Sequence, residues 1–140
     1  MTVNPVDAIR SVWSQYASFK GRARRSEYWW WALFSTLVIY GPFIILGILT
    51  DGAGIEAFPV AVQVVLSLIF MIILIGLLIP GLAVTVRRLH DSDRSGWLYL
   101  INFIPYVGWI VVFIFMLLPG TRGPNTHGPD PKGVDHGIFE

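Results

Sequence analysis

The 140-residue chain contains no cysteine, which excludes disulfides and thiolate metal sites but leaves the compartment open. Charge is scarce too: 14% of residues are Asp, Glu, Lys or Arg, against about 25% in a soluble domain. The deficit is concentrated. None of these four residue types occurs between Glu27 and Asp51, between Glu56 and Arg87, or between Arg94 and Arg122. Each gap is long enough for the roughly 20 apolar residues that a helix needs to cross a bilayer. Such runs exclude an ordinary soluble core and predict an all-α integral membrane protein.

The length fits one small domain. It divides into a cytoplasmic amphipathic segment (1–27), a transmembrane domain (28–118) and a Gly/Pro-rich tail (119–140). A cleaved signal peptide is not expected. The first apolar run starts at Tyr28 and is longer than the roughly 7–15 residues of a signal h-region. Arg24-Arg25 before that run resembles a twin-arginine signal, but the run's length and the further spans favour anchoring.

Residues 3–19 read as an amphipathic helix: Val3, Val6, Ile9, Val12, Tyr16 and Phe19 recur at steps of three or four. Asn4-Pro5 supplies a cap and a first turn. Such a helix is expected to lie in the headgroup plane with its stripe down; the alternative is a short helix packed on a partner.

Three spans are predicted, at about 28–49, 58–79 and 97–118. The first opens on Tyr28, Trp29, Trp30 and Trp31, aromatics that favour the interface. Gly41-Pro42 should bend it. The second lies in an apolar run, 58–86, that is about 43 Å long as a helix and exceeds the roughly 30 Å hydrocarbon core. Pro80-Gly81 should end or kink it, leaving 81–88 as a separate turn. The third run holds Asn102, Pro105, Tyr106, Gly108 and Trp109 near its middle. A kinked single span is the first choice. A re-entrant hairpin turning at Pro105–Gly108 is the alternative, and it moves the C-terminus to the other side.

Orientation follows from Lys and Arg. The N-terminal segment and the stretch 87–94 are basic, whereas the loop 50–57 holds Asp51, Glu56 and no basic residue. The positive-inside rule puts the first two in the cytoplasm. With three spans the tail, including His127 and His136, falls outside.

Two polar clusters then meet at the cytoplasmic interface. One holds Arg22, Arg24, Arg25 and Glu27; the other holds Arg87, Arg88, His90, Asp91, Asp93 and Arg94. The motifs GRARRSEYWW, VRRLHDSDRSGW, IPYVGW and GTRGPNTHGPDPK, in that order, resemble the bacterial inner-membrane family called domain of unknown function 805 (the YhaH/YhaI-like proteins). The resemblance runs from about Tyr16 to Lys132. It implies a small, multi-pass bacterial plasma-membrane protein and no assigned reaction.

The clusters themselves read first as anchors, with Glu27, Asp91 and Asp93 paired to arginines. The sharper expectation is a site for anionic lipid headgroups or a membrane partner, since Arg forks bind phosphate. An enzyme or metal site at His90 and Asp91 lacks further ligands within the domain, and Ser92 and Ser95 lack a nucleophile elbow. No catalytic residue, cofactor or metal is therefore expected. A transporter or pore subunit would have to be an oligomer, because the spans hold no charge and three give no inverted repeat. Homo-oligomerisation stays open, though no G-x-x-x-G occurs in a span. Nucleic-acid binding is not expected, because the basic residues are few and partly balanced by acids.

Overall fold

The computed structural model describes residues 4–133; residues 1–3 and 134–140, Val3 and His136 among them, lie outside the described residues. Among the described residues the chain is helical, without a β-strand. Four α-helices follow in order: α1 (Pro5–Ser14), α2 (Arg25–Leu49), α3 (Val60–Asp91) and α4 (Gly108–Leu117). Two short 3₁₀ segments, Gly54–Ala57 and Gly96–Phe103, complete the set. α2 and α3 are long and apolar enough to cross a membrane.

α1 starts where the Asn4 side chain accepts from the Val6 N–H at 3.1 Å, with Pro5 in the first turn. It ends at Ser14, so Tyr16 and Phe19 of the expected stripe fall in the following loop. Ala8 and Val12 are buried, and Val12 packs with Ala23, Trp31, Leu77 and Val84. α1 thus lies against the bundle, while Val6 and Trp13 stay exposed.

α2 opens on a carboxylate anchor. Glu27 accepts from the Arg24 N–H at 2.9 Å and from the Ser11 hydroxyl at 2.7 Å. One carboxylate therefore satisfies an orphan donor at the helix start and holds α1 over it.

α3 corrects the expected break. It runs unbroken for 32 residues through Pro80-Gly81, so 81–88 is not a separate turn. Pro80 has no N–H, which leaves the Gly76 carbonyl without its i+4 donor. The Tyr16 hydroxyl donates to that carbonyl at 2.8 Å. The orphan group is satisfied from outside the helix, and the helix continues.

The segment 97–118 also differs from expectation: it is not one continuous helix. Residues Gly96–Phe103 form 3₁₀ turns, the chain reverses, and α4 follows. Tyr106 adopts a positive φ of 64° in the reversal. A Cβ on Gly108 would sit 2.0 Å from the Ile101 carbonyl oxygen, so only glycine lets α4 start this close to the 3₁₀ backbone. α4 has 10 residues, about 15 Å at 1.5 Å per residue, half a hydrocarbon core. After it, the Leu118 carbonyl accepts from Arg88. The segment therefore leaves α3 at Asp91 and comes back to it.

Burial is lopsided. The buried residues of α3 all lie between Leu77 and Asp91, and α2 buries only Trp31. The other half of both long helices is sheathed in exposed Leu, Ile, Val and Phe. Packing concentrates at the end of the molecule where the charged residues sit.

Candidate functional site

Asp91 ends α3 and is 2% exposed. Its Oδ1 accepts from Arg22 Nε at 3.0 Å and lies 2.9 Å from Arg22 Nη2, and its Oδ2 pairs with Arg88. Arg22 extends the knot into the tail: it donates to the carbonyls of Thr121 and Gly123, each at 2.6 Å. A Cβ on Gly120 would fall 2.0 Å from Asp91 Oδ2, so a glycine is needed where the tail crosses the carboxylate.

The tail also caps α3. The Thr121 N–H donates to the Asp91 carbonyl at 2.8 Å, and Asn125 Nδ2 donates to the His90 carbonyl at 2.8 Å. From the other side the Ala23 N–H donates to the Arg87 carbonyl at 3.1 Å. Helix-end carbonyls lack intrahelical donors and carry partial negative charge. Here amides and a guanidinium answer both needs.

His90 joins the same contacts. Its Nδ1 lies 3.2 Å from the Gly21 carbonyl, and its ring stacks on that of His127 with centroids 4.0 Å apart. His127 reaches the arginine-rich cluster because the chain turns back within 97–118. Asp93 accepts from the Thr126 hydroxyl at 2.6 Å and lies 3.5 Å from His127 Nδ1. The Thr126 hydroxyl, then its amide, then His127 hold the Asp93 carboxyl below the usual carboxylate range. Asp130 is likewise held low by the Lys132 and Gly123 amides and by nearby Arg22.

The structure divides the expected cluster. Arg22, Arg88, His90 and Asp91 converge in one knot; Arg24 reaches the Pro131 carbonyl, Glu27 accepts from Ser11 and the Arg24 amide, and Asp93 accepts from Thr126 of the tail. Arg25 and Arg94 stay exposed, with Arg94 held 4.5 Å over the Phe115 ring. Arg87 is the anomaly. It is 1% exposed, its Nε makes one long 3.4 Å contact to the Ala83 carbonyl, and its Nη2 has no partner among the described residues. Arg88 Nε is in the same position. Sequence reasoning misses Thr121, Gly123, Asn125 and Thr126 as site residues. They lie in the motif TRGPNTHGP, which three spans would leave on the far side.

Among the described residues, no group of three or more His, Cys, Asp and Glu is arranged to hold a metal ion. The knot's chemistry is pairing and capping, with positive charge in excess.

A family described as "Protein of unknown function (DUF805)" matches residues 16–129. The chain belongs to the DUF805 family. It is similar to the inner membrane protein YhaI of Escherichia coli K12, 38% identical over 122 residues, 87% of this chain and 92% of the relative. It is also similar to inner membrane protein YhaH of the same strain, 37% identical over 127 residues, 91% of this chain and 98% of the relative. No solved structure matches the chain. The matched residues include the α1–α2 loop, both long helices, the returning segment and the tail up to Pro129. The knot thus lies almost wholly inside the part that defines this membrane-protein family.

Proposed function

We propose that this DUF805 protein is a multi-pass plasma-membrane protein with a non-enzymatic role. It serves as a structural or accessory component that holds anionic lipid against an arginine-rich cytoplasmic face. α2 and α3 cross the bilayer as a hairpin, and 97–118 re-enters from the cytoplasmic side. N-terminus and tail then share the cytoplasm. Arginines around the knot and the acidic loop at Asp51 and Glu56 support this orientation by the positive-inside rule. α1 lies along the headgroups, with Val6 and Trp13 exposed to them.

The observation that carries the reading is the charge imbalance. Arg22, Arg87 and Arg88 are buried near Asp91 and Glu27, while Arg25 and Arg94 remain exposed at the rim. Buried arginines fix the architecture. Exposed ones attract acidic headgroups at about 1 kcal/mol each.

Native mass spectrometry of the purified protein tests this. Anionic lipid should be retained over phosphatidylcholine, and Arg25→Ala with Arg94→Ala should weaken that preference. No anionic preference in the parent protein would end the reading.

A further inference from the structure

An apolar groove of about 510 Å³ opens beside the knot, walled by Phe19, Leu82, Val86, Trp97, Tyr99 and Leu100. Its polar end is formed by His90 and Ser95. The groove spans a boundary: Leu82 and Val86 belong to the last apolar turns of α3, and His90 belongs to its charged end.

The tautomer of His90 follows from its neighbour. The Gly21 carbonyl can only accept, so Nδ1 carries the proton that faces it at 3.2 Å. In the neutral ring Nε2 then presents a lone pair. That nitrogen faces the groove wall, since a Cβ on Gly96 would lie 3.2 Å from it. The groove therefore offers an acceptor at its head and hydrocarbon along its length.

An exposed cation adjoins the groove in the chain. Lys20 is exposed and sits between Phe19, which lines the groove, and Gly21, which holds His90. Arg94 precedes Ser95 and is exposed too, with its guanidinium over the Phe115 ring, so Lys20 and Arg94 both adjoin groove-lining residues in the chain.

We propose that this groove seats one acyl chain of an anionic phospholipid whose headgroup bears hydroxyls, of the phosphatidylglycerol type. The chain lies along Leu82, Val86 and Leu100. The phosphate faces Lys20, and a headgroup hydroxyl donates to His90 Nε2. The inference rests on the lipid-holding reading above and names its lipid and its site.

The test uses the full-length protein reconstituted separately with phosphatidylglycerol, phosphatidylmethanol and phosphatidylcholine, followed by native mass spectrometry of the retained lipid. Phosphatidylmethanol is anionic but has no headgroup hydroxyl. Phosphatidylglycerol should be retained above phosphatidylmethanol, and both above phosphatidylcholine. Lys20→Ala should lower phosphatidylglycerol retention roughly fivefold, the loss of one headgroup charge contact. Leu100→Trp, which fills the groove, should abolish the distinction between the two anionic lipids. Equal retention of those two by the parent protein overturns the groove site and leaves the broader anionic preference standing. Retention of phosphatidylcholine at the same level overturns both. Because Lys20 is exposed and Lys20→Ala should fold normally, unchanged retention in that variant counts against the site whatever Leu100→Trp does.

Discussion

The Tyr16 hydroxyl donates to the Gly76 carbonyl at 2.8 Å, the acceptor that Pro80 leaves without a helical donor. This bond explains why α3 passes a Pro-Gly pair unbroken. It also ties the loop after α1 to the middle of a membrane-type helix.

Tyr16→Phe should therefore destabilise the protein by about 1–3 kcal/mol, the cost of leaving a carbonyl unpaired in apolar surroundings. The double variant Tyr16→Phe with Pro80→Ala should recover most of that, because replacing the proline restores a backbone N–H facing Gly76. Thermal unfolding in detergent reads both. Equal stability of Tyr16→Phe and the parent, or no recovery in the double variant, would mean the bond does not support the helix.

Asp91 is the hub that Arg22 and Arg88 share, and both guanidinium groups are withdrawn from solvent. Asp91→Ala leaves two buried cations without their counter-charge, which should cost about 3–5 kcal/mol. The tail should come away with it, since Arg22 also holds the Thr121 and Gly123 carbonyls. Limited proteolysis would then cut at the tail in the variant while sparing it in the parent. A tail still protected in Asp91→Ala would show that the backbone caps alone suffice.

Acid should undock the tail as well. Asp93 is held below its ordinary value by Thr126 and His127, contacts made only when the tail is docked, and Asp130 by the Lys132 and Gly123 amides within the tail and by nearby Arg22. A carboxylate whose folded pKa is depressed contributes stability above its unfolded value, about 3.9, and that contribution is lost as pH falls through the lower folded value. Protection of the Gly123 and Thr126 amides, the donors to these carboxylates, measured against the intrinsic exchange rate at each pH, should be high at neutral pH and fall once the pH drops below about 4. Protection that is flat across that window would show that these bonds do not hold the tail.

The two long helices were legible because hydrophobicity and the absence of charge are local properties, and α2 ends at Leu49 as expected. The polar cluster was legible for a similar reason: Arg22, His90 and Asp91 stand at the ends of apolar runs. What sequence concealed was non-local. Pro80 reads as a break unless Tyr16, sixty-four positions earlier, is known to answer Gly76. Residues 97–118 have the length and hydropathy of a span, but Gly108 packs on the Ile101 backbone and folds the run back on itself. That one reversal moves the whole tail. It is why His127, Asn125 and Thr121 are not recognisable from sequence as neighbours of His90 and Asp91.

Arg87 and Arg88 are adjacent, equally buried and chemically identical, yet they should respond oppositely to replacement. Arg88 pairs with Asp91 and with the Leu118 carbonyl, so Arg88→Met should cost about 3–5 kcal/mol by stranding a buried carboxylate contact. Arg87 has one long contact and an unpartnered Nη2 among the described residues, and the oxygens of Glu27 are taken by Ser11 and by the Arg24 amide. Its charge is desolvated with little return. A methionine of similar length fills the same buried space without that desolvation, so Arg87→Met should be neutral or stabilising by up to about 4 kcal/mol. Unfolding midpoints of the two variants, measured side by side in one detergent, decide the matter. If Arg87→Met falls as far as Arg88→Met, then Arg87 has a bonding role in the membrane-embedded protein, and Glu27 is the first group to substitute next.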